Sequence, residues 1–197
     1  MAETEMNLLR SQINPHFIFN CLSAIDNLIQ THQVDKATTY LARFARMLRS
    51  VIESTRYESL PIQKDIENLR NYILLEQFMC NGKFEFRIDI DPSLEGSDVK
   101  VPPMIIQPFV ENAIRHGLLN KLKGERFLRI GIALDQDLVR YTITDSGVGR
   151  EAAIDINRLN RRGHQSFGLQ ITSDRIRLLN RSRETSGFSV KDLYEGE

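Results

Sequence analysis

Apolar positions near the N-terminus recur at helical spacing. From Leu9 to about Gln30, Ile13, Phe17, Ala24 and Leu28 form one stripe, and Ile18, Leu22, Ile25 and Ile29 form a second beside it. The remaining face carries Gln12, His16, Asn20, Ser23 and Asn27. A helix apolar on two adjacent sides needs more than one partner. A second helix is predicted from about Asp35 to Ser54, with Ala37, Leu41, Phe44, Leu48 and Val51 repeating at steps of three and four. The link around His32 is short, so the two helices should lie antiparallel. One hairpin cannot bury three apolar stripes, whereas a four-helix bundle of two chains can, so a homodimer is expected.

The pattern breaks near Leu60-Pro61, where a domain boundary is expected, giving regions 1–58 and 59–197. A third helix follows from Ile62 to Met79, with Ile62, Ile66, Leu69 and Ile73 on one face and Asn81-Gly82 as its stop. Phe84 to Ile90 alternates as a strand. Pro102-Pro103 should open a helix running to about Arg115. Two strands are predicted near Leu128–Leu134 and Val139–Thr144, joined at Asp135-Gln136-Asp137. A helix from about Leu169 to Leu179 and a short strand near Phe188–Val190 complete the pattern. Helices on one face of a mixed sheet imply an α+β fold with an α/β sandwich after the hairpin.

Composition changes this picture little. Of 197 residues, 41% are apolar and 26% charged, and Lys+Arg balances Asp+Glu at 26 each. No global field points to nucleic acid or to a membrane. The local field does differ: from Arg150 to Arg183 there are eight arginines against Glu151, Asp155 and Asp174, a setting suited to phosphates. Cys21 and Cys80 have no ligand-like spacing and read as reduced, buried thiols of a cytoplasmic protein.

Three segments carry candidate chemistry. Pro15 precedes His16 inside a helical pattern, and a proline there loosens the preceding turn. His16 falls on the polar stripe, open to a reacting partner, and Asn20 one turn on can hold its ring. Around Glu111, the helical spacing puts Asn112, Arg115 and His116 on a shared polar side. An amide oxygen from Asn112 suits hydrated Mg²⁺, and Arg115 or His116 suits phosphate oxygens. On a plain surface helix the same residues would amount to a Glu111–Arg115 pair. Asp145-Ser146-Gly147-Val148-Gly149 follows a strand. A carboxylate at that strand end can accept from an adenine amino group, and Gly147 and Gly149 let the backbone pass close to the base. A fourth segment, Gly163 to Leu169, precedes a helix whose N-terminal amides favour phosphate.

In order and spacing, these motifs resemble the sensor histidine kinases of the LytS type, over about Leu9 to Asn180. The resemblance implies a dimeric phosphoacceptor hairpin with His16 as acceptor, followed by a GHKL-type ATP-binding domain. Asn112 then lies in the N box as Mg²⁺ ligand, Asp145 reads adenine in the G1 box, and Gly168-Leu169 belongs to the lid. Ser166 stands where the family usually has the first glycine of Gly-x-Gly-Leu, and Phe17 stands where many histidine kinases carry an acid after the acceptor. Glu111 is the candidate acid for activating His16. The implied partners are ATP, Mg²⁺, a second copy of the chain and a response regulator, with no direct nucleic acid. The implied setting is the cytoplasmic portion of a membrane-anchored sensor whose sensor region is absent from this sequence. A catalytically weak nucleotide-binding scaffold or phosphotransfer dimer is the alternative. An ATP hydrolase using water is disfavoured, because Pro108 occupies the position of the catalytic acid in other GHKL ATPases.

Overall fold

The computed structural model describes residues 15–54, 57–136, 138–149, 189 and 191–192; of Pro15, His16 and Ser54 it describes the backbone alone. Residues 9–14 of the first predicted helix, the Gly163–Leu169 loop, the predicted helix 169–179, the arginine-rich run and most of the last predicted strand lie outside these residues. The described residues group into two compact units. One holds the helices up to Lys83 together with Asp91–Met104; the other holds Phe84–Ile90 and the described chain from Ile105 onward.

In the first unit, helix α1 spans Pro15–Gln30 and helix α2 spans Val34–Ser54. The link between them turns at His32, whose φ is +57°. The Gln33 amide donates to Leu28 O at 2.8 Å and the His32 amide to Ile29 O at 3.0 Å, so the last carbonyls of α1 are satisfied. Helix α3 spans Ile62–Met79 and ends in the same way. Asn81 has φ +53°, and the Gly82 amide reaches Gln77 O at 2.9 Å. Ahead of α3, strand β1 (Leu60–Pro61) pairs antiparallel with β3 (Lys100–Val101). The break expected at Pro61 is therefore a short strand running directly into α3. By its contacts, α3 groups with α1 and α2.

The predicted face of α3 is buried as expected at Ile62, Ile66, Leu69 and Ile73. The faces of α1 and α2 are rotated only in part: Phe17, Ile25 and Leu28 on α1 and Ala37, Phe44 and Val51 on α2 are buried as expected. Buried positions are Phe17, Cys21, Ile25 and Leu28 on α1, and Ala37, Tyr40, Phe44, Met47 and Val51 on α2. Leu22, Ile29 and Leu41 are exposed instead, by 48%, 57% and 49%. Aromatic packing explains the rotation. Phe17 stacks on Tyr72 with ring centroids 5.3 Å apart, and Tyr40 on Phe78 at 4.3 Å. Aromatic pairs bury more surface than the aliphatic stripe beside them, so they choose the face turned toward α3. Cys21, fully buried, has its sulfur 3.7 Å from the Met79 sulfur and 3.5 Å from the Tyr40 hydroxyl.

Two acids are buried in α3, each with a partner. The Tyr72 hydroxyl donates to Glu76 Oε1 at 2.9 Å, and the Met104 amide donates to Asp65 Oδ1 at 2.9 Å. Met104 has φ +57°.

In the second unit, strands β2 (Glu85–Ile90), β4 (Phe127–Asp135) and β5 (Leu138–Asp145) form a mixed sheet of order β2-β4-β5. β2 runs parallel to β4, with Ile88 beside Ile130. β5 returns antiparallel through the tight turn at Gln136, with Ile143 beside Ile130 and Asp145 beside Leu128. Helix α4 covers Gln107–Asn112 and continues as a π-helical turn over Ala113–Leu118 that packs on β4 and β5. The helix expected from Pro103 thus begins later, with Pro108 in its first turn. Residues 102–106 are not helical, since Met104 takes the left-handed region and gives its amide to Asp65. The described fold is α+β, with helical and sheet parts in both units.

Candidate functional site

The site is built on the second unit, where the π-helical turn meets the end of β5. A π turn adds a residue to the helical repeat and displaces its backbone, a feature frequent at functional sites. Here the Leu119 amide reaches back five residues to Ile114 O at 2.9 Å. Val110, Ala113, Ile114 and Leu118 are buried, while Asn112, Arg115, His116 and Gly117 keep partial exposure.

Gly117 lies against Asp145. A Cβ on Gly117 would stand 2.5 Å from Asp145 Oδ1. A Cβ on Gly147 would stand 2.5 Å from the same oxygen and 2.4 Å from the Gly117 Cα. A side chain at Gly147 would meet the Gly117 backbone, so only glycine fits there, whereas one at Gly117 would have to displace the Asp145 carboxylate. The Asp145 carboxylate is thereby seated in a slot between two glycine backbones. Its Oδ1 accepts the Gly147 amide at 2.8 Å, closing an Asx turn. Asp145 is exposed as a residue, while its Oδ1 lies against the Gly117 and Gly147 backbones. Burial pushes its pKa up, the Gly147 amide pulls it back, Asp192 raises it further and Lys121 lowers it. Gly149, at φ +78°, takes a left-handed conformation two residues further on, and its ideal Cβ would lie 3.8 Å from Asp192 Oδ1.

The polar side of the helix carries a second group. Arg115 Nε lies 3.4 Å from Glu111 Oε1, with both side chains largely covered, as the helical spacing predicts. His116 is half-buried. Desolvation lowers its pKa, Glu111 opposes that and Arg115 adds to it. Its carbonyl accepts the Asn120 amide at 3.0 Å. Asn112 is half-buried one turn earlier. His16 and Asn20 belong to α1, in the other unit; Asn20 is half-buried. Gly168 and Leu169 lie outside the described residues.

Sequence reasoning gave Gly117, Lys121 and Asp192 no role at the site. Gly117 sits inside the Glu111–Gly117 motif, but its value comes from a contact with a strand end far along the chain. Lys121 and Asp192 have no motif around them, and only folding brings them to bear on Asp145.

These residues could hold a purine nucleotide with its ion: a carboxylate against two glycines for the base, the Asn112 amide for a hard cation, and Arg115 and His116 as donors to phosphates. Among the described residues, no helix is long and apolar enough to cross a membrane.

Comparison with known proteins identifies the family. A family model described as histidine kinase matches residues 4–84. The chain is 34% identical over 179 residues to the sensor histidine kinase YpdA of Escherichia coli K12, covering 90% of this chain and 31% of that protein. It is 34% identical over 149 residues to the sensor protein LytS of Bacillus subtilis, covering 76% of this chain and 24% of the relative. With the sensor histidine kinase/phosphatase LytS of Staphylococcus aureus it shares 30% over 149 residues, 76% of this chain and 25% of the relative. The chain thus spans between a quarter and a third of the length of these relatives. Motifs and relatives agree: the chain belongs to the histidine kinases of the LytS sensor type.

Proposed function

We propose that the chain is the kinase core of a two-component sensor, which transfers the γ-phosphoryl group of ATP to His16 and passes it on to an aspartate of a response regulator. Residues 1–58 dimerise and carry the acceptor; residues 59–197 bind ATP. That division is one of role, since α3 groups with α1 and α2 by its contacts. The observation that carries the reading is the Asp145 carboxylate seated between Gly117 and Gly147. A carboxylate held there accepts from the adenine amino group and turns away guanine, whose ring oxygen would face it.

Each residue has a part in the transfer. A neutral imidazole nitrogen of His16 attacks the γ-phosphorus in line. The N–P bond forms, the bond to the bridging oxygen breaks, and ADP leaves with the electron pair. Asn20 holds the ring so that one nitrogen stays free to attack. Glu111 takes the proton that the imidazole loses, with Arg115 holding that carboxylate in place. Asn112 supplies an oxygen to Mg²⁺, which neutralises phosphate charge when bound. Arg115 and His116 face phosphate oxygens, and Gly168 and Leu169 belong to the lid. Most of the rate gain comes from positioning and charge neutralisation.

Incubation with γ-labelled ATP and Mg²⁺ tests the reading. The expected product is acid-labile, base-stable label on the wild-type chain and none on His16→Gln, with ATP affinity kept within about threefold in the variant. Equal labelling of the variant would move the acceptor elsewhere.

A further inference from the structure

Lys121 follows the π-helical turn, and its ammonium is bound to backbone oxygens. It donates to Ser146 O at 2.7 Å and to Glu125 O at 2.9 Å. Ser146 directly follows Asp145 and is tied in on its other side as well. Its hydroxyl accepts the Phe127 amide at 2.9 Å and donates to Glu125 O at 3.1 Å, while its amide reaches Phe127 O at 3.1 Å. Arg126 Nε returns a bond to Lys121 O at 3.1 Å. The loop and the Asp-Ser-Gly turn are therefore one hydrogen-bonded assembly with a cation at its centre.

Two neutral carbonyls require a donor but no net charge. The charge acts on Asp145. Among the described residues, the charges that bear on this carboxylate are Asp192, which opposes its ionisation, and Lys121, which favours it. We infer that Lys121 is a positioning residue for the nucleotide, its ammonium fixing the Asp-Ser-Gly turn through the Ser146 and Glu125 carbonyls and so aiming the Asp145 carboxylate that accepts from the purine amino group. The inference rests on the base-reading role given to Asp145 under Proposed function.

Calorimetry of Mg²⁺-ATP binding across pH, on the full chain, tests it with Lys121→Gln, Lys121→Met, Lys121→Arg and Asp145→Asn. Wild-type affinity should fall as pH drops through the Asp145 pKa. Without the cation, that fall should move to higher pH in both neutral variants. Lys121→Gln keeps a donor and tests the charge alone should Lys121→Met fail to fold. Lys121→Arg should restore the wild-type profile. A fall at unchanged pH in Lys121→Gln, with Asp145→Asn abolishing the pH dependence, overturns the role of Lys121 and spares the base reading. Wild-type affinity and pH profile in Asp145→Asn would instead remove the base reading itself.

Discussion

Gly147 approaches Gly117 so closely that a Cβ on Gly147 would lie 2.4 Å from the Gly117 Cα. This contact joins the π-helical turn to the strand end that bears Asp145, and it gives the two glycine substitutions different costs. In Gly117→Ala the new methyl meets the Asp145 carboxylate at 2.5 Å, and that group can turn outward. In Gly147→Ala it meets backbone, which cannot turn. Overpacking of this kind costs about 1–3 kcal/mol. Urea melts should place Gly147→Ala below Gly117→Ala in stability, and both should lose ATP affinity. Gly131→Ala is the control, since its Cβ would meet Thr142 at an ordinary 3.7 Å.

Asp145→Asn should separate binding from stability. Loss of a base-reading hydrogen bond costs about 1–3 kcal/mol of ATP affinity. Stability should move the other way. The folded pKa of Asp145 is raised, so its ionisation is disfavoured in the native state. The wild type therefore loses stability as pH rises from the unfolded carboxylate value through the folded one, and the loss persists above it. Thermal melts across that window should show the asparagine variant flatter with pH, and no less stable than the wild type near neutrality.

His116 gives the opposite pH sign. Its folded pKa is lowered, chiefly by desolvation. No stability is lost above the unfolded imidazole value, and stability falls as pH drops from there toward the lowered folded value. His116→Gln should flatten stability in that window. Glu111→Gln should widen it, because Glu111 raises the His116 pKa. A Glu111→Gln profile that superimposes on the wild type would contradict this electrostatic account.

The exposed apolar face of α1 and α2 bears on the proposed homodimer. Leu22 and Leu41 are 48% and 49% exposed, outside the buried set of their own unit. Leu22→Glu combined with Leu41→Glu should convert a dimer to a folded monomer in light scattering, with helical circular dichroism retained. A monomeric wild type at tens of micromolar would remove the bundle argument.

Periodicity made the bounds of α3 and its aliphatic face legible, with Asn81-Gly82 ending the helix, but not the buried Asp65, Tyr72, Leu75 and Glu76 beside that face. On α2 the same reasoning holds at Ala37, Phe44 and Val51, but the structure buries Tyr40 and Met47 in place of Leu41 and Leu48. Two adjacent faces were both apolar, and the decision fell to aromatic contacts with α3. The start of α4 was misplaced for a related reason. Pro102-Pro103 has the form of a helix entry, but the Met104 amide goes to Asp65, thirty-nine residues away in sequence. The site motifs were visible as residue types. The slot between Gly117 and Gly147 was not, because a close approach between distant backbones leaves no local trace beyond the glycines themselves.

The sulfur contact of Cys21 with Met79 also makes this thiol a clock. Cys21 has no exposure, whereas Cys80 keeps some. An alkylating reagent should consume Cys80 first and reach Cys21 only when α1 parts from α3. The slow phase of thiol modification then counts openings of the helix that carries His16. In Cys80→Ser that phase stands alone, so the opening of α1 can be timed without any label beyond its own sulfur.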